Sequence, residues 1–203
     1  MVKQMRDIYV DENTGVLINY LGITDAEELN QAESDLTIVR LKQILESPDF
    51  EYSSDAFLDL HKSMFQDIYP FAGKIRKIDM EKSEKMLSGF PMIFSGSGQI
   101  SKKLKKAFKE QEVDFNGNKT EVTRALAGFM GSIWEIHPFR EGNTRSIITY
   151  TMKYARHNEL NLDEALLLNS FAYIRDALVM YVYQEPKYLE KIILDSIERG
   201  ISL

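Results

Sequence analysis

A nine-residue segment in the second half of the chain, residues 137 to 145, holds the side chains best suited to chemistry and reads His-Pro-Phe-Arg-Glu-Gly-Asn-Thr-Arg. His137, with an ordinary pKa of about 6.5, is largely neutral near pH 7 and can accept a proton. Glu141 offers a hard oxygen ligand, which suits Mg²⁺ that phosphate oxygens already hold in part. Phe139 is the apolar residue that would pin the segment to the core. The segment therefore combines a candidate base with a candidate metal ligand.

The same segment predicts a phosphate site. Gly142 and Asn143 fall where a loop turns into a helix, and the first N–H groups of that helix lack an internal acceptor. Those donors and the positive end of the helix dipole favour an anion. Arg145, in the first helical turn, can donate a forked pair of hydrogen bonds to a second phosphate. Together with His137, these groups indicate in-line transfer from a nucleotide, where positioning and charge neutralisation do most of the work.

Two helices must hold this segment in place. Residues 122 to 136 are rich in alanine, glycine and large apolar side chains, which is typical of a helix buried on all sides at the centre of a domain. Pro138 cannot continue the hydrogen-bond ladder of that helix and biases His137 away from helical angles, so a loop begins there. Asn143 then restarts a helix that we expect to run to about His157.

The rest of the chain predicts an all-α domain with one small β-hairpin or flap. A capping box at Thr24–Glu27 would begin a helix that runs to about Leu45. Residues Ile78 to Phe94, with glycines and a proline nearby, indicate an irregular β-hairpin or flap. We expect residues 1–203 to form one domain, with a core at about 54–160 and the terminal helices packed on it. Further helices are expected at about 54–65, 99–109, 162–183 and 186–199.

Composition and charge narrow the classes of function. The chain has no cysteine, which excludes a disulfide framework, a thiolate metal site and a cysteine nucleophile. A net charge of −6 argues against nucleic acid as the main partner, because phosphate backbones attract a surplus of lysine and arginine. No run is long and apolar enough to cross a membrane, and residues 1–7 lack the apolar stretch of a secretory signal. A cytoplasmic location without a membrane partner is therefore expected.

Residues 137 to 145 resemble the Fic motif, His-x-Phe-x-(Asp/Glu)-Gly-Asn-x-Arg, and match it at every specified position. With six or so fixed positions, a chance match in a chain of this size is roughly a one-in-a-hundred-thousand event. Residues 60 to 76 are similar to the stretch that leads into the flap of this family, and residues 20 to 25 are similar to its N-terminal lead-in. The resemblance covers most of the chain.

The resemblance implies a protein adenylyltransferase, a nucleotidyltransferase that moves AMP from ATP to a serine, threonine or tyrosine hydroxyl of another protein. The α-phosphate would lie at Gly142-Asn143-Thr144, on the loop that Phe139 anchors. Glu141 would hold Mg²⁺ against the α- and β-phosphates.

The resemblance also implies roles for the two ends of the segment and for the flap. Arg145 would bind the departing pyrophosphate, and His137 would deprotonate the target hydroxyl. The flap from Ile78 to Phe94 would align the target protein by strand-like pairing.

Two positions distinguish this chain within the family pattern. The longer family motif ends with a second arginine three residues after the first, and here that position is Ile148. In many relatives this arginine pairs with an inhibitory glutamate, whose signature (Ser/Thr)-x-x-x-Glu-(Gly/Asn) is found at neither end of this chain. Either the chain lacks this mode of self-inhibition, or an antitoxin or a homo-oligomer supplies control. The kinase-like Doc branch carries lysine where this chain has Gly142. Glycine lets the backbone approach the α-phosphate, which favours AMP transfer over phosphate transfer.

The same residues fit other functions. Transfer of another phosphate-containing group, or removal of AMP, would use the same side chains. The loss of arginine at position 148 favours a regulatory or toxin–antitoxin binding module with weak activity. His61 is expected to be a packed structural residue, and Arg76 fits either the base of the flap or an ordinary ion pair. Tyr173 and Arg175 could line a nucleotide or flap pocket.

Overall fold

The computed structural model describes residues 7 to 200, so the predictions for residues 1–6 and for the outer limits of the domain lie outside the described residues. Within this range the chain forms eight α-helices and one two-stranded antiparallel sheet, which confirms the predicted all-α domain with a small flap. The elements are α1 (Ala26–Glu46), α2 (Ser54–Phe65), β1 (Glu81–Ser83), β2 (Pro91–Ile93), α3 (Ile100–Glu110), α4 (Lys119–Ile136), α5 (Asn143–His157), α6 (Glu164–Asn169), α7 (Phe171–Val182) and α8 (Lys187–Gly200).

Helices α4 and α5 lie at the centre of the domain. α4 begins at Lys119, before the predicted start at residue 122, because Asn118 and Glu121 form a capping box in which each side chain accepts the other's N–H. The α4 backbone is in direct contact with α7, since a Cβ at Gly131 would lie 2.2 Å from the ring of Tyr181. α5 has the predicted bounds.

Two predictions about helix ends are wrong. Asp25, rather than Thr24, caps α1, because the Asp25 carboxylate accepts the N–H groups of Glu27 and Glu28 at 3.0 and 2.9 Å. The single helix predicted at 162–183 is two helices, α6 and α7. They separate at Ser170, whose φ of −111° and ψ of 19° depart from helical values.

The flap, residues 78–94, contains β1, β2 and the turn between them. Glu81 lies opposite Ile93, and Ser83 lies opposite Pro91. Successive side chains of β2 face opposite sides, so that Met92 is 1% exposed and Ile93 is 73% exposed. The hairpin predicted between residues 78 and 94 is therefore confirmed, with one face packed on the helices and the other in solvent.

One cluster of buried apolar side chains joins all eight helices. It includes Leu29 of α1 and Ile197 of α8, so the terminal helices share a core with the central ones. Tyr9 and Val16, beside an isolated β-bridge between residues 10 and 17, belong to the same cluster. Among residues 7–200 no helix is both long enough and apolar enough to span a membrane.

Candidate active site

His137 ends α4 in a left-handed conformation, with φ 53° and ψ 63°. Residues other than glycine rarely adopt these angles, although asparagine, aspartate and histidine do so more often than the rest. The His137 N–H still donates to the Ile133 carbonyl, at 3.3 Å, and Pro138 prevents another helical turn. The backbone of the helix end therefore fixes where the imidazole can lie.

Arg76 holds this helix end together with the flap. Arg76 is 1% exposed, and its guanidinium donates to the carbonyl of His137 at 2.7 Å. Further hydrogen bonds go to the carbonyls of Ile78 and Ser95, on the two sides of the flap. Among residues 7–200 the hydrogen bonds of the guanidinium go to backbone carbonyls, so Arg76 lies at the base of the flap. A cation beside the C-terminus of α4 also complements the helix dipole.

The imidazole of His137 is buried and presents one free nitrogen. Its ring stacks on Phe94 of the flap, with centroids 3.7 Å apart, and is 3% exposed. Nδ1 lies 3.3 Å from the Trp134 carbonyl, which can only accept, so the neutral ring carries its proton on Nδ1. Nε2 has no hydrogen-bond partner in the part of the chain that the structure describes. The free lone pair of Nε2 is thus available to take a proton.

Burial lowers the pKa of His137 well below its usual value, and the positive charge of Lys82 lowers this pKa further. Burial also lowers the pKa of His61, to about 3. Both imidazoles should therefore be neutral in the folded protein at pH 5, where an ordinary histidine would be about 97% protonated.

An NMR titration of labelled histidines tests these protonation states. We expect the signals of His137 and His61, assigned with His137→Asn and His61→Gln variants, to show no protonation midpoint near pH 6.5. Since only the unfolded chain binds these protons, the free energy of unfolding should fall as the pH drops from 6.5 to 5, approaching about 1.4 kcal/mol per pH unit for each histidine. A midpoint near 6.5 for either residue would contradict the burial seen here.

The loop between α4 and α5 is closed by a reciprocal pair of hydrogen bonds. The Asn143 side chain accepts the Phe139 N–H and donates to the Phe139 carbonyl, each at 2.9 Å. The Phe139 ring is fully buried and stacks on His61, with centroids 3.6 Å apart. His61 Nδ1 accepts the Gly73 N–H, so its Nε2 donates to the Glu141 carbonyl at 2.9 Å. Phe139 is therefore an anchor within the core, and His61 is the packed residue that was expected.

Gly142 is the N-cap of α5, with φ 80°, and its position has no room for a side chain. A Cβ there would lie 2.4 Å from the ring of Phe65. Thr144, one of the predicted phosphate-binding residues, accepts the indole N–H of Trp134 at 3.0 Å, which ties α5 to the end of α4. The first N–H groups of α5 and the side chains of residues 141–145 border the same cavity as His137.

Arg145 borders this cavity, but its guanidinium already interacts with side chains of α1. It forms an ion pair with Glu33 of α1 and donates to the Thr37 hydroxyl at 3.1 Å. The Glu33 side chain is 7% exposed and also accepts the Tyr69 hydroxyl. Sequence reasoning missed Glu33. The available signal was a carboxylate on the buried stripe of α1, spaced by four residues from Leu29 and Thr37.

The cavity has a volume of about 720 Å³, within the range of small-molecule sites. One end is formed by His137 and residues 141–145, and α1 contributes Glu33 and Thr37. The flap, α6 and α7 complete the wall with Lys82, Glu84, Leu168, Phe171 and Arg175. Of the two α7 residues considered from the sequence, Arg175 borders the cavity, whereas the Tyr173 hydroxyl donates to the Tyr188 carbonyl at the surface. Ile148 is fully buried in the core.

Glu141 is the carboxylate that the sequence predicts as a metal ligand. It borders the cavity, and its Oε1 accepts the N–H of Gly142 at 3.1 Å. Residues 7–200 contain no group of three or more histidine, cysteine, aspartate or glutamate side chains that could enclose a metal. A single protein carboxylate fits Mg²⁺, which commonly takes its remaining ligands from phosphates and water.

Comparison with known proteins agrees with this architecture. Residues 51–155 match the model of the Fic/DOC family. The chain is 31% identical over 158 residues to protein adenylyltransferase VbhT of Bartonella schoenbuchensis, which covers 77% of this chain but only 32% of VbhT. It is 30% identical over 158 residues to the probable protein adenylyltransferase y4lH of Sinorhizobium fredii, which covers 76% of this chain and 78% of y4lH.

A solved structure shows the same fold. The N-terminal Fic domain of an effector from Bartonella quintana, with bound ADP, has a TM-score of 0.80 at 19% identity, covering 93% of each chain. With the family match over the central helices and the loop between α4 and α5, we conclude that this chain belongs to the Fic/DOC family.

Proposed function

We propose that the chain is a protein adenylyltransferase that transfers AMP from ATP to a hydroxyl group of another protein. One observation carries the proposal: His137, whose buried Nε2 has no hydrogen-bond partner among residues 7–200, borders the same cavity as the N-terminus of α5 and Arg145. A base and a phosphate-binding helix end are the two parts that in-line transfer to a hydroxyl requires. The names of VbhT and y4lH, and the ADP in the Bartonella quintana structure, support the same activity.

In this mechanism the target hydroxyl, from serine, threonine or tyrosine, lies next to Nε2 of His137. Its proton passes to Nε2 as its oxygen bonds to the α-phosphorus, and the bond from that phosphorus to pyrophosphate breaks. The N–H groups of Asn143 and Thr144 stabilise the charge on the α-phosphate, joined by the Gly142 N–H once it leaves the Glu141 carboxylate. Glu141 and phosphate oxygens would hold Mg²⁺, which would neutralise charge on the α- and β-phosphates when bound.

The proposal includes a docking place for the target and a means of control. Residues 78–94 would pair with an extended segment of the target, and the exposed side chains of Phe90 and Ile93 lie on the outer face of this flap. Since Ile148 replaces the second arginine, an antitoxin or a second copy of the chain would provide regulation. The absence of cysteine is consistent with a cytoplasmic location.

Labelled ATP tests the reaction type. The protein, Mg²⁺ and a lysate would be incubated with ATP labelled at the α-phosphate or at the γ-phosphate. Label transferred to protein from the α position alone supports AMP transfer, whereas label from the γ position alone indicates a kinase. Binding of ATP without labelling in either experiment would favour a regulatory module. Intact-mass analysis of the labelled protein would then identify the target.

The ion pair between Glu33 and Arg145 gives a prediction about nucleotide affinity. Pyrophosphate must compete with Glu33 for Arg145, and the Glu33 carboxylate also places a negative charge in the cavity wall. We expect Glu33→Gln to lower the Kd for ATP about fivefold, the equivalent of about 1 kcal/mol for one nearby charge. Isothermal titration calorimetry measures this change.

Thr37→Val is the matched control, because it removes a hydrogen bond to Arg145 but no charge. Its affinity for ATP should stay close to that of the wild type. Weaker binding by Glu33→Gln would show that Glu33 orients Arg145 for the phosphate and does not compete with it.

A further inference from the structure

The flap carries a buried carboxylate whose hydrogen bonding is incomplete. Glu84 directly follows β1 and is 2% exposed. Its Oε2 accepts a hydrogen bond from Nη2 of Arg175 on α7, at 2.5 Å. Its Oε1 has no hydrogen-bond partner among residues 7–200. Burial of a charged oxygen without a hydrogen-bond donor costs free energy. We therefore expect a molecule that binds the protein to supply a donor to this oxygen.

The position of this carboxylate is fixed by two sets of contacts. The Glu84 carbonyl accepts the N–H groups of Leu87 and Gly89, each at 3.1 Å, and the Glu84 N–H donates to Phe90 at 3.3 Å. The tip of the flap therefore folds around the Glu84 backbone, while Arg175 holds the side chain against α7. Glu84 and Arg175 both border the cavity that contains His137. Glu84 thus belongs to a preformed wall of that cavity, with Oε1 buried in this wall.

The charge of Glu84 restricts what can lie beside it. Residues 142–145 and the N-terminus of α5 form the anion-binding end of the cavity, and a carboxylate would repel a phosphate group. The neighbour of Oε1 should therefore be a neutral N–H or O–H donor. Apolar side chains suited to a flat base line the same cavity: Ile38, Leu41, Leu168 and Phe171.

The target protein is less suited than a molecule in the cavity to supply this donor. The outer face of the flap, where a target would dock, carries Phe90 and Ile93, which are 71% and 73% exposed. Glu84 is buried on the inner side, so its partner is the molecule within the cavity. We propose that Oε1 of Glu84 accepts a hydrogen bond from the nucleoside part of the nucleotide, either a base N–H or a ribose O–H, and so selects the nucleoside. This inference rests on the proposed function because it requires a nucleotide in the cavity.

Equilibrium binding of ATP analogues to the wild type and to Glu84→Gln tests the assignment. The analogues are 2′-deoxy-ATP, 3′-deoxy-ATP and purine riboside triphosphate, which lacks the 6-amino group. In Glu84→Gln the amide oxygen stays with Arg175, so the amide N–H₂ faces the donor of the nucleoside. We expect this variant to bind ATP about tenfold more weakly, as one hydrogen bond to a charged group predicts.

One analogue lacks the N–H or O–H group that contacts Glu84, and it should bind the wild type about tenfold more weakly than ATP. Its affinity should not fall further in Glu84→Gln. Its identity distinguishes the ribose from the base. Arg175→Gln, which removes the anchor of the flap but keeps the carboxylate, should preserve the preference for ATP over that analogue. Each variant is first compared with the wild type in thermal unfolding, to confirm that it folds.

Three outcomes would overturn the assignment. If Glu84→Gln weakens ATP and every analogue equally, or weakens none, Glu84 only anchors the flap. If its effect disappears when Mg²⁺ is omitted, the carboxylate is a metal ligand. These two results leave the proposed function intact, whereas failure of ATP to bind the wild type would overturn both proposals.

Discussion

Replacement of His137 by alanine should lower the rate of AMP transfer by a factor of about 10² to 10⁴, the usual contribution of a positioned general base. The affinity for ATP should change little, because the base acts mainly in the transition state. Initial rates with α-labelled ATP and calorimetric titration with ATP measure the two quantities separately.

Two control variants separate the loss of the base from other effects. His137 has a positive φ, which asparagine tolerates better than alanine, so His137→Asn removes the base with less backbone strain and should be equally inactive. His157→Ala changes an exposed histidine in the last turn of α5 and should keep the wild-type rate. A His137→Asn enzyme with the wild-type rate would remove this imidazole from the mechanism.

The second large effect is expected for Gly142→Ala. The substitution forces a side chain into a left-handed backbone conformation, which costs about 1 to 2 kcal/mol. It also places a Cβ 2.4 Å from the Phe65 ring, and overpacking of this kind costs about 1 to 3 kcal/mol more. The free energy of unfolding should therefore fall by about 2 to 5 kcal/mol, and ATP binding should weaken strongly because the N-terminus of α5 must move. Urea denaturation and calorimetry measure these changes.

Gly15→Ala provides the matched control for the backbone contribution. Gly15 also has a positive φ, of 71°, but a Cβ there would meet nothing within 4 Å. It should lose only about 1 to 2 kcal/mol, with unchanged ATP binding. Equal losses in the two variants would show that the contact with Phe65 is unimportant.

Local signals in the sequence were sufficient to predict much of this fold. Proline after His137 and the change of pattern at Asn143 predicted the loop between α4 and α5, because both act through the backbone of their immediate neighbours. The choice between Thr24 and Asp25 as the cap of α1 could not be made in this way, since both residue types cap helices well. The break at Ser170 was missed because apolar spacing continues through it, so the packing of α6 and α7 decides where the chain bends.

The parts of the site that the sequence did not reveal depend on contacts between distant positions. Glu33 and Arg145 are separated by 112 residues, and Arg76 and His137 by 61. No local sequence pattern identifies the partner of a buried charged residue, because the tertiary fold decides which residues meet. The motif between residues 137 and 145 could be identified from its spacing, but the freedom of Nε2 and the engagement of Arg145 are visible only in three dimensions.

The carbonyls that surround Arg76 have a mechanical consequence. The planar Arg76 guanidinium donates hydrogen bonds to carbonyls on both sides of the flap and at the end of α4. A protein that bends the hairpin as it docks must therefore pull on the backbone that orients the imidazole. Under the proposed function, arrival of the acceptor protein would therefore also align the base, and a poorly fitting protein would leave the base misdirected.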